Sequence, residues 1–162
     1  MQEVVEKLIR RGETISTMES CTGGGVANAI TNIPGASGII EFGAVTYSNK
    51  FKIKMGVDKD TIAKYTVYSM EVARAMASVI SEFTGSDYGV GITGQINKVD
   101  PANIVDNDNM IYVAIYDKKE DTYETRTLTA IDADRKDNKE YIIGVIADMM
   151  NELLQRKKQN RI

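Results

Sequence analysis

Residues Glu13–Ile30 read ETISTMESCTGGGVANAI, and the sense given to this stretch decides the fold. ETISTM has the make-up of a strand, while GVANAITNI resumes with helix-compatible residues. Between them Glu19, Ser20, Cys21 and Thr22 lead into three consecutive glycines, Gly23–Gly25. A strand–loop–helix junction of this kind directs backbone N–H groups and the positive end of a helix at whatever lies over it, which suits a phosphate or a developing oxyanion. A tight turn in which the glycines only satisfy geometry is the competing reading.

Working outward, MQEVVEKLIRRG carries Val4, Val5, Leu8 and Ile9 at helical spacing with Gly12 as a stop, so the chain opens with a short amphipathic helix. GIIEFGAVTYS, 38–48, is β-branched and aromatic enough for a buried strand. KFKIKM, 50–55, is ambiguous. Its alternation would put Lys50, Lys52 and Lys54 on one strand face, and its position after Tyr47-Ser48-Asn49 also suits a short helix. DKDTIAKY starts a short helix at Asp58. SMEVARAMASVISEFTG is a stronger one, capped by Ser69, stopped by Gly85 and striped by Val72, Met76, Val79, Ile80 and Phe83. The methionines in that stripe read as core filler. DYGVGIT is a further strand, NMIYVAIY and TYETRTLTA form a pair across DKKED, and a long helix runs from about Asp134 to Lys158. Strands alternating with helices, then two adjacent strands, predict one α/β domain over 1–162, a three-layer α/β/α sandwich with a mixed sheet.

Composition narrows the chemistry. The 162 residues are 43% hydrophobic and 27% charged with a formal net charge of −3, which gives no general attraction to nucleic acid or anionic membranes. No signal peptide or membrane span is legible, and the single cysteine, Cys21, rules out an intrachain disulfide and fits a reducing compartment, so a cytoplasmic protein is expected. The sequence contains no histidine. Ser-His-Asp and Cys-His arrangements and imidazole metal ligands are therefore excluded, and any hydrolytic chemistry must use Lys, Tyr or a carboxylate as base or bind a hard metal through oxygen.

Two apparent motifs fail on context. GVGITG, Gly89–Gly94, matches G-x-G-x-x-G, but its glycines lie inside a predicted strand and no helix opening follows; they allow close backbone approach instead. Asp100, Asp106 and Asp108 lack the glycine and distal glutamate of a calcium loop and read as a solvated polar segment. They sit in the long irregular piece Gly94–Asn109, which reads as a binding loop, a lid or a mobile connection. A nucleophile in the ESCT loop needs a base, and Lys50, Lys52 and Lys54 crowd one another in the way that depresses an amine's pKa; solvated surface lysines are the competing reading.

The segments ESCTGG, AITNIPGAS, GAVTYSNKFKIKMGV, SMEVARAMA and VGITG, in this order and spacing, resemble the C-terminal domain family of the competence/damage-inducible protein CinA, whose stand-alone, PncC-like members are nicotinamide mononucleotide deamidases. The similarity is strong from about Thr14 to Gly94 and weaker beyond. The resemblance implies a bacterial α/β/α protein that hydrolyses a carboxamide to the acid and ammonia on a small-molecule nucleotide, without a metal or organic cofactor. It makes Ser20 the nucleophile, Lys52 the base with Tyr47 beside it, Thr22, Gly23, Gly24, Thr93 and Gly94 substrate-holding residues, and KFKIKM a helix. It favours Ser20 over Cys21. A homo-oligomer is left open, and the large N-terminal domain of full-length members has no counterpart in this sequence.

The sequence departs from the family in two places. GQINKVDPANIVDNDN replaces the usual Gly-Pro-x-Gly-Gly loop, which bears on substrate shape and on catalysis. The family's Gly-Asp-Arg with an arginine four residues later appears as ADRKDNK, so Arg135 matches while Lys139 stands at the second position and offers charge without a guanidinium's two-pronged geometry. Two other functions stay open beside the deamidase: a nucleotide-binding or regulatory member without turnover, and an amidase for another small amide.

Overall fold

The structure, a computed structural model, describes residues 1–97 and 109–159. The chain runs α1 (Gln2–Arg11), β1 (Ile15–Glu19), α2 (Gly25–Thr31), a 3-10 turn (Ala36–Gly38), β2 (Gly43–Val45), α3 (Asn49–Lys54), α4 (Lys59–Tyr65), α5 (Met70–Thr84), β3 (Tyr88–Gly94), β4 (Met110–Asp117), β5 (Thr122–Thr129) and α6 (Arg135–Gln159). The acid cluster Asp100, Asp106 and Asp108, and most of the Gly94–Asn109 segment, lie outside the described residues.

The five strands form one mixed sheet in the order β2-β1-β3-β4-β5. β2 and β3 flank β1 in parallel, with Thr17 opposite Gly43 and Val90, while β3, β4 and β5 form an antiparallel meander. Strand alternation divides the core. Ile15, Tyr88, Val90, Ile92, Ile111, Val113 and Ile115 face α1, α2 and α6, whereas Met18 packs with Val72, Met76 and Ile80 of α5 on the opposite face. The result is the three-layer α/β/α sandwich that the element order implies. None of the described helices is long and apolar enough to cross a membrane.

The glycines of GVGITG have a packing cause. α5 lies directly on the backbone of β3: a Cβ at Gly89 would stand 1.9 Å from the Ala77 carbonyl oxygen, and one at Gly91 would stand 2.2 Å from that of Ala73. The motif is thus a helix–strand contact surface, in agreement with the close-approach reading and not with a dinucleotide loop.

Three expectations change. The buried strand foreseen over 38–48 shrinks to Gly43–Val45, because β2 is an edge strand that pairs only with β1 and has both its ends exposed. Phe83 leaves the α5 stripe; it is 63% exposed and packs its ring on Phe42, with centroids 5.4 Å apart. The three lysines do not share a face. α3 is a helix capped by Ser48, whose Oγ accepts the Phe51 N–H at 3.3 Å, and a two-residue step on a helix turns nearly to the opposite side. Lys52 is buried, while Lys50 and Lys54 lie outside with their ammonium groups 6.0 and 5.3 Å from the centre of the Phe51 ring.

Replacing Gly91 by Ala is expected to lower unfolding stability by about 3 kcal/mol, since the added methyl meets rigid backbone. Gly144→Ala in α6, where a Cβ meets nothing within 4 Å, is expected to raise it by up to about 1 kcal/mol. Urea titration of both variants checks the pair.

Candidate active site

The parallel strands β2, β1 and β3 all finish at the same end of the sheet, and the chain leaves β1 for β2 on one side and returns from β2 to β3 on the other. The first connection carries α2 and the second carries α5, which lie on opposite faces. Such a switch point, at the carboxyl ends of parallel strands, is where open α/β sheets bind ligands. Ser20 follows β1 here, and its N–H donates to the Ile92 carbonyl of β3 at 3.1 Å. Thr46 and Tyr47 follow β2, and Thr93 and Gly94 end β3.

Lys52 reaches this point from α3. Helical side chains lean toward the N-terminus of their helix, so Lys52 on the inner face turns back toward the end of β2. Its amine donates to the Thr46 carbonyl at 2.7 Å and to Ser20 Oγ at 3.1 Å. Lys52 is 1% exposed and Ser20 8%, so the amine–hydroxyl pair lies almost wholly under protein. This contact joins two residues 32 positions apart and sets an amine against a hydroxyl in a chain without histidine.

The glycine loop is organised from beneath. The Glu19 carboxylate is fully enclosed and accepts from the Thr22 hydroxyl at 2.7 Å, the Val26 N–H at 2.8 Å and the Ala27 N–H at 3.0 Å. The N–H of Gly23 donates to the Ser20 carbonyl and that of Gly25 to the Thr22 carbonyl. Gly23 and Gly24, with φ of 61° and 91°, take the left-handed conformation that turns the chain into α2. The first turn of α2, expected to face a ligand, is therefore capped by the protein's own carboxylate. The N–H groups of Thr22 and Gly24 have no acceptor among the described residues.

The remaining sequence-derived residues divide. Tyr47 is 65% exposed, and its hydroxyl accepts from the Arg135 guanidinium at 3.3 Å. Arg135 also donates to the Ile96 carbonyl. It opens α6, where the Asp134 carboxylate caps the helix by accepting the Asp137 N–H at 2.8 Å. One turn on, Lys139 brings its amine over the glycine loop, 3.3 Å from the place a Cβ on Gly23 would occupy. Thr93 lies at the strand end as expected, but its hydroxyl proton goes to the Val67 carbonyl at 2.8 Å, so toward a ligand it can only accept. At Gly94 a Cβ would stand 2.6 Å from the backbone of Met110 and Ile111, a reason for glycine that belongs to β4 packing.

Cys21 is next to Ser20 in sequence but not in reactivity. It is buried, and loss of hydration pushes its thiol up to about 12, so the thiolate is a negligible fraction at neutral pH. Among the described residues no three His, Cys, Asp or Glu side chains gather as a metal site would require.

Three residues escaped the sequence reading. Glu19 was quoted only as part of ESCT, although an acid closing a strand just ahead of a glycine loop is a recognisable signal for a buried cap. Thr46 contributes through its backbone carbonyl, for which no sequence signal exists. Asn138, buried on α6, donates to the Asn97 side chain at 3.2 Å and to the Ala133 carbonyl at 3.2 Å, tying the end of β3 to the start of α6 beside Arg135.

Known proteins share the sequence pattern and the fold. A CinA-like protein of Kosmotoga olearia is 47% identical over 96 residues, 58% of this chain and 23% of that protein. A competence-damage inducible protein of Clostridium kluyveri is 42% identical over 122 residues, 74% of this chain and 30% of that protein. The chain thus spans less than a third of the length of these relatives. Among solved structures, a CinA superfamily protein of Klebsiella pneumoniae superposes with a TM-score of 0.85 at 23% identity, covering 96% of this chain and 95% of that one. A competence or damage-inducible protein of Enterobacter asburiae gives 0.79 at 25% identity, covering 96% of each chain. The profile of the CinA C-terminal domain matches residues 1–154, and the chain belongs to that family.

Proposed function

We propose that the protein is an amidohydrolase that converts nicotinamide mononucleotide, or a close relative, to the corresponding acid and ammonia, with Ser20 as nucleophile and Lys52 as base. The observation that carries this reading is the buried contact of the Lys52 amine with Ser20 Oγ at 3.1 Å. The site's place at the switch point of the sheet and the absence of histidine support it.

With Lys52 in its neutral form, its lone pair takes the Ser20 proton as Oγ bonds to the carboxamide carbon. The carbonyl electron pair moves to oxygen, and the N–H groups of Thr22 and Gly24 are among the loop donors available to meet that charge. The C–N bond then breaks, and the proton held by Lys52 goes to the departing nitrogen, giving ammonia and an ester on Ser20. Water attacks the ester as Lys52 removes its proton, and Ser20 takes the proton back as the acid leaves. Tyr47 joins the proton transfer only once its hydroxyl leaves Arg135, a change that substrate entry can drive because catalytic contacts often tighten in the bound complex.

The substrate's phosphate needs positive charge. The α2 end is filled by Glu19, so Arg135 and Lys139, one helical turn apart with Lys139 over Gly23, are assigned to it.

Ammonia release from nicotinamide mononucleotide by wild type, absent in Ser20→Ala, is the expected result; kcat should fall by at least about 10³-fold. A protein that binds the mononucleotide without releasing ammonia would replace the enzyme reading with a binding role. Lys52→Arg, which cannot act as a base, should lose roughly 10³-fold in kcat. Arg135→Ala or Lys139→Ala should raise KM roughly tenfold with little change in kcat, and should leave hydrolysis of the nucleoside lacking phosphate nearly unaffected. Iodoacetamide at pH 8 should leave Cys21 of the folded protein unmodified and alkylate it after unfolding in urea, as peptide mass would record.

A further inference from the structure

Glu19 takes no part in the chemistry above, yet it is linked to both halves of the reacting pair, to Ser20 along the chain and to Lys52 through Thr46. Its side chain accepts four hydrogen bonds: at Oε1 from the Thr22 hydroxyl (2.7 Å) and the Val26 N–H (2.8 Å), and at Oε2 from the Ala27 N–H (3.0 Å) and, more weakly, the Thr17 hydroxyl (3.4 Å). These donors span the whole loop that begins at Ser20. Its backbone carbonyl accepts the Thr46 N–H at 2.8 Å, and the Thr46 carbonyl in turn receives the Lys52 amine at 2.7 Å. One residue therefore holds the loop that carries the nucleophile and the strand end that anchors the base.

Resting on the amidohydrolase reading, we propose that Glu19 is a positioning residue whose hydrogen-bonded side chain sets the reactivity of Ser20. The chemistry of the pocket specifies the residue type. All four partners are donors, so the group between them must accept on both oxygens. A glutamine in the same place would turn its NH₂ toward a backbone N–H or a hydroxyl whose proton is already directed inward. An ordinary N-cap would act from position 24, at the helix itself. Here the cap reaches from β1, so hydrogen bonds tie the α2 end and the loop that follows Ser20 to the strand. Those bonds also fix the direction of the Thr22 and Gly24 N–H groups, whose alignment with a developing oxyanion decides how much they stabilise it.

A displacement of about 1 Å in such a site can cost ~10²-fold in rate. The test is the rate at which phenylmethanesulfonyl fluoride modifies Ser20, read by peptide mass in wild type and Glu19→Gln, beside circular dichroism and steady-state ammonia release from nicotinamide mononucleotide. Glu19→Gln is expected to fold cooperatively, to label Ser20 roughly ten- to hundredfold more slowly, and to lower kcat by a similar factor with KM within about twofold. A folded Glu19→Gln that labels at the wild-type rate would overturn the proposal. Should that variant not fold, Thr22→Val, which removes one donor and keeps the carboxylate, carries the test, with labelling slower by roughly fivefold expected and an unchanged rate counting against. Slowed labelling in a protein that releases no ammonia would sink the substrate assignment and leave the positioning role standing. A wild type not labelled at Ser20 would remove the nucleophile and Glu19's role together.

Discussion

A lysine amine with 1% of its side chain in contact with solvent is the constraint around which this end of the molecule is arranged. Lysine is almost never fully buried unless its amine is held, and here the Thr46 carbonyl and Ser20 Oγ hold it. For those oxygens to converge, β1 and β2 must end together, which their parallel pairing from Thr17–Gly43 to Glu19–Val45 ensures. Lys52 must then approach from a helix that starts immediately after β2, and Ser48 supplies the cap that starts it. A strand continued through KFKIKM would have carried Lys52 away from Ser20.

The glycine loop obeys a complementary constraint. Burying Glu19 as a carboxylate requires donors, and the loop and first turn of α2 provide them, so the positive end of α2 is satisfied within the fold. The positive charge nearest the loop consequently lies on the other side, where α6 begins. Asp134 caps that helix, Asn138 fastens its start to Asn97, and Arg135 and Lys139 project one turn apart toward Tyr47 and Gly23. Lys139 in place of the family arginine keeps the charge over the loop while giving up a planar, bidentate grip.

Elements with strong local signals were legible in the sequence. Ser69 and Gly85 bounded α5, Gly12 stopped α1, and the β4–β5 pair closed across DKKED where the pattern put it. The glycines of β3 were readable as sites of close approach, although only the fold could say that α5 was the neighbour. Misreadings arose where neighbours outweigh composition. A stretch rich in β-branched and aromatic residues shortened to three paired residues because it lies at the sheet edge, and the three lysines read as crowding one another stand apart, only Lys52 inside, on the helix that the resemblance implied. Ser20 and Lys52 were carried by resemblance, since 32 residues of separation leave no local trace of their contact. Thr46 acts through its main chain and leaves none at all.

The proposed chemistry requires a covalent intermediate on Ser20. Wild-type protein mixed with nicotinamide mononucleotide, acid-quenched within the first turnovers and mapped by peptide mass, would settle it. An acyl adduct on the peptide containing Ser20, absent in Ser20→Ala, is the predicted result. Ammonia release without any such adduct, and undiminished in Ser20→Ala, would contradict the account and point to direct attack by water.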